Sequence, residues 1–276
     1  MTATTTTGAT AAATSGRRPR ALPAWVLGLI GLAGLMLLTE LAPRAGLVSR
    51  RYLPPFSDMM AALGDEAKTS TFWQSLLDTL RGWAIGLAIA LVAGVLLGIV
   101  IGSLPAVRAA LTSTIEFLRP IPSVALIPLA VLLYGPTPRS TLLLVVYASF
   151  WQVLVQVLYG VQDVDPVARE TARSYRFRPL TQVRTVIWPT ALPYVVTGFR
   201  LGAAVALILE ITGELVIGSP GLGQQIAVAQ NSEAVPSMYA LVIVVGLLGV
   251  LVNVVVRALE RRALRWHPSI RREMIS

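Results

Sequence analysis

The chain contains no cysteine and a single histidine, His267, so a disulfide framework and a thiolate metal site are excluded and imidazole chemistry has almost no material. Charge is scarce as well. Charged residues make up 13% of the 276 positions and apolar ones 55%, and the mean hydropathy is positive. A domain surrounded by water needs roughly 25–35% charged residues on its surface alone, so the solvent along most of this chain is lipid. Lysine occurs once, at Lys68 in Asp65-Glu66-Ala67-Lys68, and no glycine-rich loop carries it. A phosphate-binding loop needs a lysine among glycines with a following Ser or Thr, so ATP is not hydrolysed here. No cofactor is expected on the chain. The net charge of +9 comes from arginines at the edges of apolar runs, where membrane insertion places them, which argues against nucleic acid as a partner.

Residues 1–20 form a Thr/Ala/Gly/Ser tract ending in arginines, too weakly apolar to offset the entropy of ordering, and are expected to be a disordered tail. The apolar run at 22–42 resembles a signal peptide but is long enough to span, and Ala42-Pro43-Arg44 is a poor cleavage site. It reads as an uncleaved first span. A helix crossing ~30 Å of hydrocarbon needs ~20 residues. Further candidates lie at 79–101, 118–134, 141–159, 191–218 and 238–257, so the expected fold is an all-α integral membrane protein with six transmembrane helices. The third is short and holds Pro122 and Pro128, so it should be kinked inside the bundle. The expected domains are thus a membrane domain at 21–266, with its core at about 75–260, and a second tail at 267–276.

Taken alternately, the loops on the side of the N-terminus hold sixteen arginines, against five basic residues on the other side. The positive-inside rule then places both termini in the cytoplasm. On the outer side, residues 48–78 mix Pro54-Pro55 with Met59, Leu63, Phe72, Trp73, Leu76 and Leu77, a pattern suited to short amphipathic helices at the interface.

The inner loop at 161–189 is far longer than two antiparallel helices need for a turn. Asp165-Pro166 is a helix start, an N-cap followed by proline at the first position. Pro179 opens a second short helix that Trp188-Pro189 should close. Two such helices, bearing Arg169, Glu170, Arg173, Arg178 and Arg184 around the small Ala172, would form an elbow able to dock into a partner's groove.

Glu170-Thr171-Ala172, three residues, Arg176, nine residues and Val186-Ile187-Trp188-Pro189 resemble the E-A-A, three, G, nine, I-x-L-P loop of binding-protein-dependent ABC importer permeases. Arg119-Pro120-Ile121-Pro122, Ala125-Leu126-Ile127-Pro128, Ala191-Leu192-Pro193-Tyr194, Gly198-Phe199-Arg200-Leu201 and Gly221-Leu222-Gly223 are similar to the nitrate/sulfonate/taurine branch of that family. The resemblance implies a type I importer permease fold and a subunit that forms the solute pathway. It also implies cytoplasmic ABC ATPase subunits, an extracytoplasmic solute-binding protein and a second permease subunit, in a homodimer, as partners in a bacterial cytoplasmic membrane. The solute would be a small organic molecule or oxyanion such as a sulfonate, taurine or nitrate. Glu170, Thr171, Ala172, Arg173, Arg176 and Pro189 would couple the subunit to the ATPase. Where the family has glycine this chain has Arg176; if that turn needs a positive φ, a non-glycine residue costs roughly 1 kcal/mol.

Charges inside the membrane are costly, so Arg200, Glu210 and Glu214 in the fifth span should face a cavity or another helix and are candidates for the pathway. At ~100° per residue the two glutamates share one face, so they either pair with arginines from neighbouring helices or signal a non-anionic solute, neutral or cationic. An ion-coupled secondary transporter would also place charges and broken helices in the membrane. It needs no docking loop, and no inverted repeat relates the two halves of the chain. The Gly82, Gly86, Gly94 and Gly98 series reads as close helix packing, with a contact to a second subunit as one use.

Overall fold

The computed structural model describes residues 23–264; the two expected tails, 1–20 and 267–276, with His267, lie outside them. Among the described residues all regular structure is helical. By compactness the chain divides into a unit at 1–56 and a unit at 57–276. The first contains α1 (Ala24–Arg44), an apolar helix whose most apolar stretch has no buried residue and whose last turn carries the buried Pro43 and a Glu40–Arg44 ion pair.

The second unit starts within α2 (Phe56–Glu66), which three residues separate from α3 (Ser70–Ser103). The Thr69 hydroxyl accepts a hydrogen bond from the Phe72 N–H at 3.2 Å and caps α3. That cap corrects one expectation. Phe72, Trp73, Leu76 and Leu77 are the first turns of the long helix and do not form a separate interfacial one. At 34 residues α3 is about 51 Å long, well beyond the ~30 Å of hydrocarbon.

The third span also differs from a single kinked helix at 118–134. It consists of α4 (Pro105–Leu118), a 3₁₀ turn at Ser123–Leu126 and α5 (Ile127–Tyr134), with a bend of 85° between the two parts. Pro120 and Pro122, with only Ile121 between them, each lack an N–H donor and bias the preceding residue away from the helical region, which breaks the helix here. Five helical segments are long and apolar enough to cross a membrane, and six if this bent pair is one span. The remaining elements are α6 (Pro138–Gln162), α7 (Pro166–Ser174), α8 (Pro179–Gln182), α9 (Trp188–Ile217), α10 (Leu222–Asn231) and α11 (Val235–Ala263).

Three helices, α3, α6 and α9, form the centre. A Cβ on Gly86, Gly94, Gly98 or Gly102 of α3 would lie within 2.5–2.8 Å of Val145, Val153, Val157 or Val161 of α6 respectively. The constant offset along both sequences means that α3 and α6 run parallel with valine knobs seated over glycine holes. The same register sets Ala90 opposite Ser149, both fully buried. This ladder lies within one chain, so these glycines are not free for a second subunit. Against α9 the pairing reverses: Gly160 meets Ala191 and Tyr194, Gly198 meets Val153, and Gly213 meets Thr141, so α6 and α9 are antiparallel. Small residues bring the backbones close where lipid gives no hydrophobic drive for helices to associate. The Trp83 Nε1–H donates to the Ala203 carbonyl at 2.9 Å and ties α3 to α9.

Candidate functional site

The link from α6 to α9 forms a projecting elbow. The Asp165 carboxylate accepts from the Val167 N–H at 2.8 Å and Pro166 occupies the first helical position, so α7 begins where the sequence signals it. It ends in a Schellman motif: the Phe177 N–H donates to the Ala172 carbonyl and the Arg176 N–H to the Arg173 carbonyl, at 3.0 and 2.8 Å. That motif demands a left-handed residue between them. Arg176 occupies it with φ 54°, so the turn does need the conformation for which glycine is suited. Relief of this strain predicts that Arg176→Gly stabilises the elbow by roughly 1 kcal/mol, about fivefold in local opening. Hydrogen exchange at the Phe177 amide should slow accordingly, and faster exchange would contradict the strain.

One face of α7 is anchored and the other is free. The Arg169 guanidinium donates to the Val161 carbonyl in the last turn of α6 at 2.9 Å, and Ala172, three residues on, is 4% exposed. Glu170, Thr171 and Arg173 point away from these anchors and are exposed, as is Arg176. The Tyr194 hydroxyl donates to the Asp163 carboxylate at 3.0 Å, holding the start of α9 against the base of the elbow.

Trp188-Pro189 does not close a second short helix. From Pro179 the chain runs through α8 and a five-residue π-helical stretch at Val183–Ile187 directly into α9. A proline ring clashes with the carbonyl four residues back, and the wider π turn just before Pro189 lets the helix carry it without a break. Pro189 therefore lies exposed in the first turn of a membrane helix, apart from the Glu170 to Arg176 segment.

Arg200, Glu210 and Glu214 do not form one constellation. Arg200 pairs with Glu260 of α11 at 3.5 Å, about 15 Å along the helix from Glu210. Glu210 and Glu214 are 5% and 0% exposed, and neither pairs with an arginine among the described residues. Glu214 turns toward the reversal between α9 and α10, where its carboxylate accepts from the Gly223 N–H at 2.9 Å. Nearby, Thr141 and Ser219 share a hydrogen bond at 2.7 Å and the Leu222 N–H donates to the Thr79 hydroxyl at 2.9 Å. These polar links join α3, α6, α9 and α10 at the end away from the elbow. Thr79, Thr141 and Ser219 had no signal of their own in the sequence. The Gly221-Leu222-Gly223 run, seven to nine residues beyond Glu214, was the available clue.

Among the described residues no group of three or more His, Asp or Glu side chains is placed to hold a metal. What the arrangement offers is a helix bundle with buried polar contacts at one end and a rigid basic elbow at the other.

Residues 90–265 match the family described as "Binding-protein-dependent transport system inner membrane component". The chain is 32% identical over 229 residues to the taurine transport system permease protein TauC of Escherichia coli (strain K12), covering 81% of this chain and 83% of that one. It is 27% identical over 245 residues to the putative aliphatic sulfonates transport permease protein SsuC of Bacillus subtilis (strain 168), covering 89% of both. In fold it is similar to a chain of the MetNI methionine ABC transporter, with a TM-score of 0.60 at 16% identity over 70% of this chain and 96% of that one. A secondary transporter is thereby set aside. The chain belongs to the binding-protein-dependent transport system inner membrane components, and is a multi-pass permease subunit of an ABC transporter.

Proposed function

We propose that this permease imports a small sulfonate or a related oxyanion, delivered by a solute-binding protein on the outer face and driven by separate ATPase subunits on the inner one. The observation that carries the solute class is the likeness to the taurine and aliphatic sulfonate permeases over more than four fifths of the chain; a nitrate import permease protein NrtB of Synechocystis sp. (strain ATCC 27184 / PCC 6803 / Kazusa) is 29% identical over 64% of each chain. Glu170, Thr171, Arg173 and Arg176 form the docking surface for the ATPase, with the exposed face of α7 as its centre, while the buried Ala172 seats that helix and Pro189 lies apart in the first turn of α9. Two permease subunits, copies of this chain, enclose the pathway. Closure of the ATPases on ATP moves the docked elbows together, and the bundles rock to open the pathway outward.

ATP-dependent import of 2-aminoethanesulfonate or ethanesulfonate into proteoliposomes containing the permease, its ATPase and its binding protein tests the solute class. Hydrolysis stimulated by the binding protein without import of either compound would refute it.

The distribution of arginine supports an orientation with both ends in the cytoplasm. Because the chain has no cysteine, single cysteines report on it directly. Ser70, Ser174 and Ser232 are all exposed. Cysteines at 70 and 232 should react with an impermeant thiol reagent in intact cells, and one at 174 only after lysis. The reverse pattern would put the elbow outside and remove it from any ATPase.

A further inference from the structure

At the end of the bundle opposite the elbow, α3, the start of α6 and the end of α9 line an open cavity of about 300 Å³. Its polar lining comes from Asp78 and Arg81 of α3, Arg139 of α6, Glu210 of α9 and Ser219 just beyond it. That size is at the lower end of small-molecule sites, enough for a compact solute and little else. Two carboxyl groups and two guanidinium groups give the lining both signs in equal number. Arg81 and Asp78 approach each other only to 3.7 Å, with side chains 71% and 41% exposed, so neither is committed to the other.

Glu210 is different in kind. It is 5% exposed and its Oε2 has no hydrogen-bond partner. Its carboxyl group lies against Gly82, where a Cβ would fall 1.9 Å from Oε1. The missing side chain at position 82 is thus what makes room for the carboxyl group in the cavity wall. An acceptor left unpaired in a buried site is expensive, and a polar group kept inside a membrane bundle at that expense marks a pathway or a ligand.

We propose that this cavity is a solute subsite of the permease itself that takes a compact zwitterion, Glu210 accepting an N–H of the solute's ammonium group while Arg139 and Arg81 hold its anionic end. A plain anion would leave Glu210 unpaired and bring negative charge toward it. A plain cation would leave the guanidinium groups without a partner. An aminosulfonate carries both ends, so this inference rests on the sulfonate reading above and narrows it. Within that class it gives the permease a discrimination of its own, for the solute's amine, in addition to whatever the binding protein selects.

The test compares ATP-driven import of 2-aminoethanesulfonate and 2-hydroxyethanesulfonate by the complete transporter, each at saturating binding protein. The binding protein's own preference is common to all variants and cancels when their amine-to-hydroxyl import ratios are compared. Glu210→Gln should lower that ratio about tenfold, the loss of one charge-assisted hydrogen bond. Arg139→Gln should slow both compounds alike and leave the ratio where it was. An unchanged ratio in Glu210→Gln overturns the inference. If that variant does not assemble, Glu210→Asp, which withdraws the carboxylate by one methylene, decides: a lowered ratio supports the subsite and an unchanged one overturns it. If the wild-type transporter imports only the amine, the same variants are judged on its import rate, and an undiminished rate overturns the inference. Import of the hydroxyl compound alone also overturns it. Import of neither refutes the sulfonate reading itself, and the subsite falls with it.

Discussion

Glu170→Lys is expected to abolish import while the permease remains inserted and abundant. Glu170 lies on the exposed face of α7, opposite the anchors made by Arg169 and Ala172, so the folded subunit loses no internal contact when its charge is reversed. The surrounding elbow is basic, with Arg173, Arg176, Arg178 and Arg184 close in sequence, and Glu170 is the one acidic residue between Asp165 and Arg184. A partner groove that receives this helix must provide a basic or donor group for it. Placing a lysine there juxtaposes like charges at a desolvated contact, which costs several kcal/mol, or about a hundredfold or more in docking. Uptake into proteoliposomes and the amount of permease recovered from the membrane measure the two halves of this expectation separately. Normal uptake by Glu170→Lys would remove the elbow from the coupling path.

The helices and the elbow were legible in the sequence because their signals are local. Apolar runs of about twenty residues mark spans, and Asp165-Pro166 marks the start of α7 through a cap that the structure contains. The turn at Arg176 was legible only through the family motif, whose glycine at that position points to a left-handed residue that the structure contains. Continuity was not. Whether Trp188-Pro189 stops a helix depends on how the preceding turn is wound, and nothing in composition announces a π-helical stretch. The same holds for the bend between α4 and α5, where prolines signal a break and leave its angle to packing.

The buried polar residues were the least legible part. Periodicity placed Glu210 and Glu214 on one face of a helix, yet four residues separate two different environments: Glu210 faces Gly82 across α3, and Glu214 faces the α9–α10 reversal. Each environment is made by a residue about 130 positions away or by a turn whose course is set by tertiary contacts. Arginine partners for the two glutamates were a reasonable expectation from charge balance. Their place is taken by a backbone N–H at Glu214 and by a cavity at Glu210. Arg200, the nearest arginine along the helix, is drawn instead to Glu260 near the opposite end.

Gly221→Ala should be among the most disruptive single-methyl changes in the chain, and the reason distinguishes it from its neighbour Gly223. A Cβ at position 221 would fall 1.9 Å from Oε1 and 2.1 Å from the carboxyl carbon of Glu214. That carboxylate cannot simply swing aside, because it also accepts the Gly223 N–H in a fully buried site. Overpacking of this kind costs about 3 kcal/mol or more, of order 10 °C in the apparent melting temperature in detergent. A Cβ at position 223 would meet the Ile211 carbonyl at 2.5 Å and the Leu215 nitrogen at 2.9 Å, both backbone atoms of α9. Removing the Glu214 carboxylate therefore has opposite consequences for the two glycines. Glu214→Ala alone leaves the Gly223 N–H without its acceptor and destabilises by about 1.5–3 kcal/mol. In combination it should recover the part of the Gly221→Ala loss that comes from the clash with the carboxylate, leaving the strain of a side chain at φ 154°, and none of the clash of Gly223→Ala with the α9 backbone. A double-mutant cycle on melting temperature should show strong coupling between positions 214 and 221, and between 214 and 223 only the smaller coupling of the one hydrogen bond they share. Additivity in both cycles would mean that Glu214 does not seat the turn into α10, and that the Gly221-Leu222-Gly223 run is required for some other contact.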